Sequence, residues 1–225
     1  MEFELKPSAF RIGGAAPPVD WAGSAQLFLG NAITVALALA QHWPMAMLIV
    51  PFWMQSVTIG WFYFKRILAL QRFSTEGLLI DGETVRESPQ TQSTAALFFA
   101  VHFGGFHLGY AVFLAIFAAD GKLGRTYALN PGDFLSLCVL GGLFAWTQHR
   151  EFIANVAIDR TRRPNIGALS FLPYLRVLPM HAVIVFGSLR AGGDHAIVIF
   201  GALKALADIG MRLLERRIAV GTQVC

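Results

Sequence analysis

The sequence predicts an all-α fold: a polytopic transmembrane helical bundle of about six spans with both termini cytoplasmic. Three observations predict it. Hydrophobic residues make up 55% of the 225 and charged residues only 14%, where an ordinary soluble domain carries roughly 25% charge. Mean hydropathy is correspondingly high, at +0.55. Apolar runs of membrane-crossing length recur along the chain, and Lys and Arg are shared unequally between alternate connections.

Residues 1–21 read as a polar N-terminal tail. Gly13, Gly14, Pro17 and Pro18 break helix there, and Asp20 stands where it would cap the first helix. Glu2, Glu4, Lys6 and Arg11 argue against a secretory signal, so the first apolar run is expected to persist as a helix. A six-helix domain is expected over 22–217 and a short C-terminal tail over 218–225.

The first span is Gly23–Ala40, whose Gln26, Asn31 and Thr34 favour a protein-facing side. His42, Trp43 and Pro44 end it at an interface. The second, Met45–Phe64, contains a kinking Pro51 and a central Gln55. Lys65 and Arg66 mark its exit, although helix-compatible sequence runs to Phe73, and 74–93 read as a polar loop. The third, Ala95–Ala118, would extend about 36 Å as a helix, enough for a hydrocarbon core of roughly 30 Å. It carries His102 and His107 on either side of Gly104 and Gly105.

Asp120-Gly121 and Asn130-Pro131-Gly132 are turn signals, and Asp133 would cap the fourth span, Phe134–Ile153. That span ends in Gln148, His149, Arg150 and Glu151, and a basic loop covers 159–165. The fifth, Phe171–Leu189, has Pro173, Arg176, Pro179 and His181 in its first half. Gly192-Gly193 turns the chain and Asp194 would cap the sixth span, His195–Leu214, which contains Lys204 and Asp208. With six spans, thirteen of the 18 Lys and Arg fall on one side and three on the other, while Arg176 and Lys204 lie within spans. The richer side is the cytoplasmic one.

This composition also narrows function. No basic face with interleaved aromatics is apparent, so no nucleic-acid partner is expected. Cys138 and Cys225 form no CxxC pair and read as inert thiols. The expected surroundings are the lipid bilayer of an inner or plasma membrane, with a membrane-protein partner or a second copy as candidate company.

The predicted topology brings Gln55, His102, His107, His149, His181, Lys204 and Asp208 into the middle and inner parts of the bundle. Ionisable groups at that depth mark function by default. Lys204 and Asp208, at i and i+4, share a helix face. His102 and His107 lie about 140° apart around theirs and suit different neighbours. Gly104 and Gly105 leave room for close helix packing or for the face of a flat cofactor.

Four readings compete for these residues. The leading one is a transition metal (Fe, Cu or Zn) or haem, with His107 and His181 as the ligand pair and His102 and His149 as further ligands or supports. Lys204, Asp208, Gln55, Gly104 and Gly105 would then line the cofactor site. The second is a proton or small-solute path through the same residues. The third is an embedded enzyme acting on a lipid or quinone, against which no HExxH or serine elbow appears. The fourth is a structural subunit of a larger membrane complex. Whether any reaction is catalysed stays open at this point.

Four segments carry a resemblance. Trp53 to Gly60, the string F-F-x-x-H-F-G-G-F-H from Phe98 to His107, Arg176 to His181, and Lys204 to Asp208 thread most of the chain. Together they resemble a family of prokaryotic multi-span membrane proteins of unknown function. Its members share a W-x-E-x4–5-G segment, an F-F-x-x-H-[YF]-G-x-F-H helix, an R-x-x-x-x-H segment and a final K-x-x-x-D helix. The resemblance implies a common fold and a common site at His102, His107, His181, Lys204 and Asp208. This chain has Gln55 where the pattern has glutamate, which counts against a role that needs a carboxylate there.

Overall fold

The structure, a computed structural model, describes residues 2–10, 21–120, 130–187 and 194–220. Among them, six helices carry most of the chain: α1 (Trp21–Ala40), α2 (Met45–Ala69), α3 (Pro89–Asp120), α4 (Pro131–Asp159), α5 (Ile166–Gly187) and α6 (Asp194–Val220). Each predicted span falls on one of them. Three segments are long and apolar enough to cross a membrane, Gly23–Ala40, Met47–Ala69 and Pro89–Ile116. These three identify a membrane protein on length and composition.

The helix ends reflect local chemistry. At the close of α1, His42 takes a left-handed φ of 53°. This lets the Trp43 N–H reach back to the Ala38 carbonyl at 2.8 Å, in the manner of a Schellman cap. Asn130, rather than the expected Asp133, is the N-cap of α4. Its side chain accepts the Asp133 N–H, while the Asp133 carboxylate accepts the Asn130 N–H. Asp133 is fully buried and also accepts from Trp43 Nε1 at 2.6 Å, so the end of α1 is tied to the start of α4. Gln92 of α3 donates to the Ile67, Leu68 and Leu70 carbonyls and so closes α2.

The all-α expectation needs one addition. A three-stranded antiparallel sheet, in the order β1 (Phe3–Leu5), β2 (Leu78–Ile80), β3 (Glu83–Thr84), draws on stretches read as tail and loop. Phe3 pairs with Ile80 and Leu5 with Leu78. Asp81 and Gly82 join β2 to β3 with φ of 51° and 80°, the two left-handed residues that a type I′ hairpin needs. Three chain segments meet around this sheet. The Lys6 N–H donates to Gly77 O at 2.8 Å, Ser74 N–H to Pro164 O at 2.9 Å, and Ile166 N–H to Ser74 O at 2.9 Å. We call this the sheet end of the bundle.

At the centre lies α2, which touches each of the other five helices. It remains one continuous helix through Pro51. Its Leu48, Phe52 and Ile67 are fully buried, and Gly60 admits the Phe103 ring so closely that a Cβ there would stand 2.2 Å from it. Near the sheet end, Arg66 grips Asp159 of α4 through two bonds of 2.6 and 2.8 Å. The predicted features at 13–20, the glycines of the 121 and 192–193 turns, and the last five residues lie outside the described residues.

Candidate functional site

Lys204 and Asp208 stand one helical turn apart on α6, with exposures of 3% and 0%. Lys204 Nζ lies 2.6 Å from both carboxylate oxygens of Asp208. An isolated charge in such a place is costly, and pairing lowers the cost only where the remaining donors and acceptors are met. Two other helices contribute here. Gln55 Oε1 on α2 accepts from Lys204 at 3.1 Å, and Asn31 Nδ2 on α1 donates to Asp208 Oδ2 at 3.0 Å. The ammonium also lies 5.6 Å from the centre of the Phe52 ring, within cation–π range.

This cluster is neutral as a whole and built from three helices. Gln55 suits it: the Asp208 carboxylate already balances Lys204, and an uncharged acceptor completes the ammonium's shell. Asn31 Oδ1 is buried and has no hydrogen-bond partner among the described residues. A buried acceptor left open beside an ion pair is a place where a water or a proton carrier can bond.

One further turn toward the sheet end, Arg212 of α6 bonds Glu151 of α4. Lys204, Asp208 and Arg212 therefore form an i, i+4, i+8 row, each step about 6 Å along the axis. The row leads from the buried pair toward Glu151, whose side chain is 20% exposed.

The histidines separate. His107 is buried, and its Nδ1 lies 2.8 Å from Phe103 O. A carbonyl can only accept, so Nδ1 carries the proton. Nε2, 2.8 Å from Ser56 Oγ, then accepts the hydroxyl hydrogen. Both ring nitrogens are thus engaged within the protein. His102 is exposed, and its Nδ1 lies 2.8 Å from the Tyr174 hydroxyl of α5. His149 is exposed too, with its ring 5.8 Å from that of Phe62. The backbone of His181 lies in α5, and its side chain is outside the described residues.

No group of three or more His, Cys, Asp or Glu that could hold a metal ion occurs among the described residues. Of the four expected ligands, His102, His107 and His149 form no such group, and the side chain of His181 lies outside the described residues. Among the described residues, a Cβ at Gly104 or at Gly105 would meet nothing within 4 Å. They lie on the outward face of α3.

Sequence reasoning placed Gln55, Lys204 and Asp208 at mid-depth but did not identify Asn31, Ser56 or Tyr174 as their partners or those of the histidines. The polar character of Asn31 within an apolar run was the one signal that pointed to it. Its bond to Asp208 spans 177 positions and depends on α1 lying against α6.

A protein-family model described as a family of unknown function (DUF6498) matches residues 15–223. No curated protein and no solved structure matches the chain.

Proposed function

We propose, for a chain that belongs to the DUF6498 family of unknown function, that it handles protons within a membrane. In this reading it is a six-span protein of a prokaryotic inner or plasma membrane with both termini cytoplasmic. It moves protons, alone or with a small solute, by way of the Lys204–Asp208 pair. Six spans draw support from large apolar side chains exposed on every helix: Phe28, Trp61, Val101, Val139, Leu178 and Ile199 on α1 to α6 in turn. The orientation draws support from the sheet end, where Lys6 and, through Arg163, the basic 160–163 loop each meet the segment after α2.

The observation that carries the functional reading is that the buried ion pair lies within one helix. A salt bridge that served only to hold helices together would join two of them. Lys204 and Asp208 bind each other on α6, and single amide bonds from Asn31 and Gln55 link them to α1 and α2. Packed apolar residues would hold this junction at least as well. A pair kept at such cost, beside an open amide oxygen and in line with Glu151, suits transient protonation of the Asp208 carboxylate. Protonation would release the ammonium to Gln55 and to water. Reloading would proceed from the sheet end through Glu151.

The metal or haem reading draws less support. The ammonium at the cluster's centre repels a cation, both nitrogens of His107 are bonded, and His181 would have to supply the decisive ligand.

Infrared difference spectra of the membrane-reconstituted chain with and without an imposed proton gradient test the proposal. It expects a protonated-carboxyl band that is absent from the Lys204→Met/Asp208→Leu variant. A spectrum without such a band, or with one that the variant keeps, overturns it. A haem absorbance or stoichiometric metal that falls in both His107→Ala and His181→Ala would instead establish the metal reading.

A further inference from the structure

The sheet does more than close one end of the bundle. Between it and helices α3 and α5 lies a cavity of about 270 Å³, walled by Phe3, Leu5, Phe98 and Phe171, with His102 and Tyr174 as its polar edge. Phe3 stacks on Phe98 with ring centres 3.9 Å apart, so β1 forms a built wall. Gly167 belongs to the same lining, and a Cβ there would come within 2.4 Å of Leu5. Ser170 also reaches the cavity, but its hydroxyl donates back to the Ile166 carbonyl at 2.8 Å.

The polar edge has a defined hydrogen-bonding capacity. Tyr174 OH and His102 Nδ1 share one hydrogen across 2.8 Å. If the phenol donates it, His102 carries its own proton on Nε2. If Nδ1 donates it, the phenol hydrogen is released. In either tautomer, one N–H or O–H remains for a ligand. His102 Nε2 makes no hydrogen bond among the described residues, and His102 sits on an exposed face of an apolar helix. A polar group facing lipid in that way is expected to have a partner.

Among the described residues the lining holds no Lys, Arg, Asp or Glu, so it offers no counter-charge to a carboxylate or a phosphate. Its volume exceeds the roughly 150 Å³ cavity that holds a benzene ring and lies near the low end of ligand pockets, about 300 Å³. It therefore suits one substituted ring or a short stretch of chain.

We propose that this cavity binds a neutral, membrane-dissolved carbonyl compound, whose oxygen accepts the hydrogen that the His102–Tyr174 pair has to offer. A quinone ring and the ester of a neutral acyl lipid share that chemistry. The assignment uses none of the Lys204–Asp208 cluster and stands whether or not that cluster handles protons.

Equilibrium binding to the full chain in detergent tests it with three probes of equal tail length: a decyl benzoquinone, a monoacylglycerol and a plain alkane. Saturable binding of the quinone or the acylglycerol, weakened about tenfold in the Tyr174→Phe/His102→Phe double variant, is expected. The carbonyl probe that binds identifies the source. The double variant keeps both aromatic rings and should melt like the wild type, so its loss reports the hydrogen bond, whereas either single variant leaves one donor in place. The proposal is overturned if neither carbonyl probe saturates. It is equally overturned if the alkane binds as tightly, or if the double variant, folded by thermal melt, binds undiminished.

Discussion

Asp208 is the residue whose loss should be felt most. Replacing it with asparagine leaves the Lys204 ammonium buried beside two amides, and a broken buried pair costs about 3–5 kcal/mol. Substituting both partners, as in Lys204→Met/Asp208→Leu, removes the charge problem and should return stability to within about 2 kcal/mol of the wild type. Thermal or denaturant unfolding in detergent checks both values. A double variant as unstable as the single one would mean that the pair is needed for folding. The i, i+4 spacing of Lys204 and Asp208 made their pairing legible in the sequence, because it depends on one helix alone. Asn31 and Tyr174 could not be paired in that way, since their partners come from helices far along the chain.

At the scale of elements, two glycines, one at the contact of α2 with α3 and one on the outward face of α3, should behave oppositely. Gly60→Ala would drive a methyl into the Phe103 ring and push α2 from α3, at a cost of about 1–3 kcal/mol. Gly105→Ala meets open space and should change stability by less than about 1 kcal/mol, in the direction of helix propensity. Asp133→Ala removes half of the reciprocal cap of α4 and the acceptor of Trp43, and should cost about 1–3 kcal/mol with a shift in Trp fluorescence. Chevron or melting experiments on the three variants decide these values. The helices were legible because each long apolar run can form only a few structures in a bilayer. The sheet was not, because strands of two and three residues are too short to show alternation. Asp81-Gly82 was the one local signal, and it was hidden within a polar stretch.

For the whole molecule, the central arrangement is a bundle in which α2 touches every other helix and the sheet gathers three chain segments at one end. If six spans cross the membrane, single cysteines at Glu4, Ser88 and Thr161 should all be labelled from the cytoplasmic face, and one at Asn130 from the opposite face. Labelling of Glu4 and Thr161 from different faces would contradict that topology. The expectation of an even number of crossings rests on the distribution of Lys and Arg. The separation of His102 from His107 was legible in the roughly 140° between them, but the neighbour that each meets was not, because helix rotation about its axis leaves little trace in a run apolar all round, such as α3.

Proton flux in vesicles reconstituted with the full chain tests the central claim most directly, measured with an internal pH dye under an imposed pH gradient and potential. The wild type is predicted to carry protons above the rate of empty vesicles. The Lys204→Met/Asp208→Leu variant, inserted to the same level and equally stable to heat, is predicted to fall to that background. Flux in the variant equal to the wild type, or no flux above background in the wild type with any solute gradient applied, would contradict the account.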